Sequence, residues 1–252
     1  EDVIYGLSAA ARAWREDNEG WVASGMRLWK RQTLKAFYGS EKPPIFSDDP
    51  GRARSTGRPR MIWASKASDD EEAVRCEDGF LRSRGLGAEL VPPLSLVLDD
   101  LGIYYDPRRE SRLERLIAAS TELKPGPLLR AADLRRALIR AGLSKYNLGR
   151  ACPELPAGNS ILVPGQVEDD ASIRFGASHV STNLALLEEV RARNPETNLV
   201  YKPHPDVEAG LRPGYVSRDD LTRLNAVEAP LADAIALIEA CDEVWTLTSL
   251  LG

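Results

Sequence analysis

Four short clusters in this chain have the residue types and spacing that chemistry needs. The first is Glu77-Asp78-Gly79, followed by Arg82 and Arg84. Adjacent carboxylates beside guanidiniums can supply a general base and hold an anion in one loop. The second is Gln166-Val-Glu-Asp-Asp-Ala-Ser172, an acidic run with a carboxamide and a hydroxyl at its ends. The third is Lys202-Pro-His-Pro205. Its prolines remove backbone donors and restrict the residues before them, so a Lys and a His leave the preceding segment on a stiff turn suited to a phosphate. The fourth is Thr248-Ser249, whose hydroxyls suit a phosphate at the start of a helix. Taken singly, each has an ordinary alternative: a solvated turn, a local Arg–carboxylate pair, a satisfied histidine.

The elements that must position these clusters read as strands and helices in alternation. Ser160 to Pro164 and Leu199 to Tyr201 are short apolar runs rich in β-formers, and the second and third clusters sit at their ends. Residues 181 to 193 form a helix between them, with Ser181 or Thr182 as its cap and Leu184, Leu187 and Val190 on its inner face. This is a parallel β–loop–α–β unit. Leu231 to Ala240 reads as a helix and Glu243 to Leu247 as a strand that carries Thr248 and Ser249. In open α/β sheets, ligands bind beyond the carboxyl ends of the strands. Three strand ends therefore aim at one crevice.

The first half is less regular. Residues 8 to 38 read as helical, divided at Gly20 and Gly25. The stretch Trp21 to Tyr38 reads as an amphipathic, basic helix. Its Trp21, Met26, Trp29, Leu34, Phe37 and Tyr38 are either a core stripe or an interfacial one, with Lys30, Arg31 and Lys35 toward lipid headgroups in the second case. Residues 39 to 60 have the composition of a linker. Met61 to Ala64 reads as a strand, Lys66 to Val74 as a turn or loop, and Arg75 to Gly87 as a functional loop. Pro92 to Asp99 reads as a strand, paired in a hairpin with Leu101 to Pro107. Ser111 and Glu114 form a capping box. Lys124-Pro-Gly-Pro127 breaks that helix, and Ala131 to Ala141 forms another.

Composition narrows the classes. The chain has 252 residues, 43% hydrophobic and 28% charged, with a net charge of -5. That fits a soluble globular protein and argues against nucleic acid as its partner. No apolar run approaches the ~18 residues that span a bilayer, and no signal peptide is expected. Cys76, Cys152 and Cys241 are scattered and lack metal-ligand spacing, so reduced thiols, a cytoplasmic location and no metal are expected. The expected architecture is α/β, with two Rossmann-like domains in a GT-B-like arrangement and the site in the interdomain cleft. The divisions are a helical segment over 1–40, an acceptor-side domain over 41–150 and a nucleotide-sugar domain over 151–252. The last is expected to be truncated, because the helix after Ser249 would begin where the chain stops.

Together the motifs carry a resemblance. Glu77-Asp-Gly-Phe-Leu-Arg-Ser83, Pro93-Leu-Ser-Leu-Val-Leu-Asp99 with Gly102-Ile-Tyr-Tyr-Asp106, Gln166 to Ser172, Tyr201-Lys-Pro-His-Pro-Asp206 and Thr246-Leu-Thr-Ser249 resemble the KpsC family of capsule polysaccharide biosynthesis and export proteins. The likeness is to that family's C-terminal glycosyltransferase module and runs from about residue 20 to the end. It implies a retaining β-Kdo transferase, without a cofactor, that uses the nucleotide sugar CMP-Kdo as donor and a lysophosphatidylglycerol-linked glycolipid as acceptor. It also implies a peripheral place at the cytoplasmic face of the inner membrane. By the same resemblance Asp170 is the nucleophile, with Asp169 its confusable neighbour, and Glu77 or Asp78 deprotonates the acceptor. Lys202, His204, Ser249 and Thr248 are donor-side groups that hold the phosphate, with His204 and Lys202 stabilising the leaving group. Gln166, Ser172, Arg82 and Arg84 then contact Kdo. Two other functions fit the same residues: a glycan- or lipid-binding module without turnover, and a transferase of this architecture with another nucleotide sugar.

Overall fold

The computed structural model describes residues 20–39, 42–68, 72–87, 89–148, 153–230 and 232–251. The helix expected before Gly20 and the thiol of Cys152 lie outside them. The chain divides into two compact units. One is the chain up to Phe80 with Pro92–Ile103, and the other is Leu81–Val91 with Tyr104–Gly252.

The first unit is built on five strands: β1 (Val22–Ser24), β2 (Ile45–Phe46), β3 (Arg60–Trp63), β4 (Val74–Asp78) and β5 (Leu96–Asp99). Their order is β2-β1-β3-β4-β5, parallel except for the antiparallel edge pair β4 and β5. Three expectations are corrected here. Trp21 to Ser24 is not helical. Val22 and Ala23 are buried on both faces of a parallel sheet, where a strand reads as a continuous apolar run rather than an alternation. The helix α1 begins only at Leu28 and ends at Tyr38. The linker over 39–60 contains β2 and a short helix, α2 (Gly51–Thr56). The hairpin at Asp99 to Gly102 does not form. Asp99 Oδ1 accepts from the backbone N–H of Leu101 and of Gly102, closing a turn, and β5 pairs back to β4. The core of this unit is Trp21, Ala23, Met26, Leu34, Met61, Trp63 and Cys76. Trp21, Met26 and Leu34 thus belong to a core stripe, not an interfacial one.

The second unit carries β6 (Ser160–Pro164), β7 (Asn198–Lys202), β8 (Ala226–Glu228) and β9 (Glu243–Val244), in the order β8-β7-β6-β9. All three pairings are parallel, so every carboxyl end lies on one edge. The crossover helix between β6 and β7 is α6 (Asn183–Arg193), capped by the Thr182 hydroxyl. Its Leu186, Leu187 and Val190 pack against Ile161, Val163, Leu199 and Tyr201. Ahead of it come α3 (Arg112–Ala119), α4 (Pro125–Arg140) and the short α5 (Ala171–Gly176); after it come α7 (Pro205–Glu208), α8 (Arg218–Arg223) and α9 (Ala234–Ala240). The capping box of Ser111 and Glu114 opens α3 as expected. The Lys124 to Pro127 segment ends one helix but also starts the next. Pro125 occupies the first position of α4, where its missing N–H is no loss. Neither α3 nor α4 buries a residue, and Leu116, Ile117, Leu128, Leu129, Leu134 and Ile139 stay exposed.

Candidate functional site

Strand β6 lies between β7 and β9, so the chain reverses its direction of strand addition beside β6. Such a switch point leaves a crevice beyond the carboxyl ends. Gln166, two residues after β6, spans it. Its Nε2 donates to Thr248 Oγ1 and its Oε1 accepts from the Thr248 backbone N–H, both at 2.9 Å. The loop is pinned from below by Asn183, which is 1% exposed. Asn183 Oδ1 accepts from the Gln166 N–H, while its Nδ2 donates to the carbonyls of Gln166 and Gly214. The Asn183 N–H donates to Glu168 Oε1. Nothing in the sequence singled out Asn183, which sits as the first residue of an ordinary capped helix.

The acidic turn is thereby fixed, and its two aspartates part company. Asp169 accepts from Arg212 in an ion pair of 2.6 Å. Among the described residues Asp170 accepts only the Ser172 hydroxyl, at 3.0 Å, and it stands exposed at the head of α5. The structure thus brings Asp170 and Ser172 into direct contact and separates Asp170 from its neighbour chemically.

At the end of β7, Lys202 is 7% exposed and His204 caps α7. His204 Nδ1 accepts the Asp206 N–H at 3.1 Å, so the neutral ring carries its proton on Nε2. Burial, then the charges of Lys145, Lys202 and Arg212, push the imidazole down to about 3. At neutral pH His204 is therefore a hydrogen-bond donor rather than an imidazolium. Asp206 shows the reverse. Burial raises its carboxyl against the pull of Arg212, Lys145 and Arg82, and its Oδ1 has no hydrogen-bond partner among the described residues. Arg82 is 2% exposed and donates to Ser83 Oγ. Arg84 is exposed. Ser249 Oγ accepts from the Leu251 N–H.

In the first unit Glu77 and Asp78 end β4 rather than lying in a loop. Successive strand residues face opposite sides. Asp78 shares a face with Cys76 and meets Lys30 Nζ at 3.1 Å. That ammonium lies 3.3 Å from the Trp63 ring centroid and 5.0 Å from Trp29's, a desolvated cation–π setting. Lys30 therefore turns inward, away from the lipid-facing position the sequence had offered. Glu77 Oε1 accepts the Asp78 N–H at 3.0 Å. Gly79 is obligatory: a Cβ there would sit 2.2 Å from Ser95 Oγ. The Cys76 thiol is pushed up, first by burial and then by Glu77. Among the described residues no group of three or more His, Cys, Asp or Glu is placed to hold a metal ion.

With this geometry in hand, comparison with known proteins is informative. The chain is 39% identical over 274 aligned positions to the capsule polysaccharide modification protein LipA of Neisseria meningitidis serogroup A, covering all of this chain and 38% of LipA. It is 43% identical over 183 positions to the lipopolysaccharide-processing protein LpsZ of Rhizobium meliloti, covering 71% of this chain and 42% of LpsZ. The chain thus spans less than half the length of these curated relatives. Among solved structures it is similar to the beta Kdo 2,7 transferase of Thermosulfurimonas dismutans KpsC, with a TM-score of 0.70 and 33% identity over 92% of this chain and 73% of that one. The beta Kdo 2,4 transferase of the same protein gives 0.68 and 25%, over 91% of this chain and 75% of that one. The mixed α/β architecture with parallel sheets is common to them. Residues 50–140 and 153–252 match the capsule polysaccharide biosynthesis protein family, and the chain belongs to it.

Proposed function

We propose that the chain is a retaining Kdo transferase. It takes Kdo from CMP-Kdo and passes it to a Kdo-bearing lysophosphatidylglycerol acceptor during synthesis of a capsule linker. One observation carries the reading: three parallel strands present Asp170, the Lys202/His204 turn and Thr248/Ser249 along a single sheet edge. The similarity to two Kdo transferases supports the sugar, and the pair of parallel-sheet units supports the GT-B class.

In the proposed reaction the Asp170 carboxylate attacks the ketosidic carbon of Kdo. The bond to the phosphate oxygen breaks, and CMP leaves with the electron pair. Lys202 and the Nε2–H of His204 stabilise that departing charge. The acceptor hydroxyl then attacks the same carbon, Asp170 leaves as carboxylate, and the hydroxyl proton passes to Glu77 or Asp78. Two displacements give net retention, as in retaining glycosidases. A carboxylate nucleophile needs no partner base, which fits the hydrogen bond that Asp170 accepts from Ser172. No metal or other cofactor has a part in this scheme, since protein cations meet the phosphate.

The proposed location is the cytoplasmic face of the inner membrane, held peripherally. No helix among the described residues is long and apolar enough to cross a membrane. The exposed leucines of α3 and α4, interleaved with Arg115, Arg130, Arg136 and Arg140, support contact with anionic lipid there, in place of the Trp21 to Tyr38 stretch.

The test is an incubation with CMP-Kdo and a Kdo-lysophosphatidylglycerol acceptor, with the product analysed by mass spectrometry and its anomeric configuration by NMR. A product heavier by one Kdo in β linkage supports the reading. An inert CMP-Kdo beside turnover of another nucleotide sugar refutes the donor.

A further inference from the structure

The chain leaves Gly79 and Phe80 and enters the second unit at Leu81. There Arg82 and Ser83 both donate their backbone N–H to the Lys145 carbonyl, at 3.0 and 3.2 Å, and Gly85 donates to the Tyr146 carbonyl at 2.8 Å. Asn147 Nδ2 returns a hydrogen bond to the Ser83 carbonyl at 2.9 Å. Inside the turn, the Ser144 N–H donates to Asn147 Oδ1, and the Asn147 N–H to Ser144 Oγ. Asn147 takes a left-handed φ of 51°, which its short amide side chain tolerates. A connector between a helix and a domain's first strand has no need of such fixing. The turn carries Tyr146, whose ring packs perpendicular to that of His204, with centroids 5.8 Å apart and an interplanar angle of 85°. Lys145 Nζ lies 5.4 Å from the centroid of that Tyr146 ring, and its charge contributes to depressing the His204 imidazole.

We propose that the Ser144–Asn147 turn is the second wall of an anion site: Lys145 supplies a cation to a phosphate-type ligand, and Tyr146 fixes the His204 ring so that its Nε2–H donates to the same anion. The ring is held at both ends. The Asp206 N–H occupies Nδ1 and the Tyr146 ring packs perpendicular to the imidazole, so Nε2 is the nitrogen left to donate. Arg82 and Lys202 are both buried, and with Lys145 they concentrate positive charge around a donor that is itself neutral. That combination suits a phosphodiester monoanion: the cations supply attraction and the fixed N–H supplies direction. Lys145 is thus a binding residue and Tyr146 a positioning residue. The inference rests on the reading of the Lys202/His204 turn as the phosphate site, and it adds residues that reading did not include.

The probe is CMP, titrated calorimetrically into the protein, with cytidine as the phosphate-free control and the His204 ring followed by NMR. The wild type is expected to bind CMP and shift the His204 signals. Lys145→Gln should weaken CMP about tenfold, leave cytidine binding unchanged and leave the ring nitrogen signals of the free protein where they were. Tyr146→Ala should weaken CMP and also move those nitrogen signals in the free protein, while Tyr146→Phe, which keeps the ring, should leave them in place. Wild-type affinity for CMP in both Lys145→Gln and Tyr146→Ala overturns the inference. If the wild type ignores CMP, the donor reading fails separately, and inorganic phosphate and UDP become the probes. A bound anion whose affinity still falls in Lys145→Gln sustains the second wall. Binding indifferent to Lys145, or no anion binding at all, ends it.

Discussion

The molecule carries adjacent carboxylates at the end of one strand and in the turn after another, and it treats the two pairs differently. At β4 the second carboxylate, Asp78, is claimed by a buried lysine lying against two tryptophans. In the turn after β6 the first carboxylate, Asp169, is claimed by an arginine in a largely exposed pair. In each case a cation engages one member. Of the other two acids, Glu77 accepts the next backbone N–H and Asp170 accepts the Ser172 hydroxyl. The lesson is that adjacency in sequence does not mean equivalence. The cation decides which acid is spoken for, and burial decides how much that costs to undo.

The comparison can be broken most sharply at Asp170. Asp170→Asn should lower transfer by roughly 10⁴-fold, as for loss of a covalent nucleophile. Asp169→Asn should stay within about tenfold, since Asp169 contributes only a side pair. Equal losses in steady-state assays of both variants would erase the distinction.

The first pair is tested through stability. Lys30→Met leaves Asp78 partly buried without its cation, a loss of about 3 kcal/mol, the low end for breaking such a pair. A chain of this size should then melt about 6–12 °C lower by calorimetry. The double variant with Asp78→Leu should recover much of that, because the uncompensated charge is gone. A Lys30→Met protein melting like the wild type would show that Trp63 and Trp29, not the ion pair, hold this corner.

The cluster beside the second pair adds a pH signature. The His204 imidazole is depressed from its ordinary value to about 3. Between the two values the unfolded chain binds a proton that the folded chain does not, so stability is lost as pH falls through that window and is complete above it. From pH 7 to pH 4.5 this group should account for up to about 2–3 kcal/mol. Melting curves of the wild type and His204→Asn should converge as pH falls. Parallel curves would contradict the burial account. The smallest effect belongs to Arg212→Ala, which removes an exposed pair and should cost under about 1 kcal/mol.

Much of the second unit was legible in the sequence because its signals are local. Apolar runs gave β6 and β7, Thr182 announced α6, and the Ser111 and Glu114 spacing announced α3. The first unit was harder for a physical reason. Val22 and Ala23 sit a few residues before a true helix, and a strand buried on both faces loses the alternation that would mark it. Glu77 and Asp78 looked like loop residues because Gly79 follows at once, yet that glycine exists for the close approach of Ser95. The contacts that complete the candidate site are all remote in sequence. Asn183 reaches Gly214, Arg212 reaches Asp169, and Tyr146 reaches His204. No spacing rule encodes them. The strand order, which brings the ends of β6, β7 and β9 to one edge, makes Gln166 and Thr248 neighbours in the same way.

The central claim is a covalent intermediate on one of two adjacent aspartates, and intact-protein mass spectrometry after mixing with CMP-Kdo addresses it directly. The account predicts a mass increase of one Kdo unit, retained in Asp169→Asn and absent in Asp170→Asn. An adduct that survives in Asp170→Asn, or no adduct while calorimetry shows CMP-Kdo bound, would contradict it.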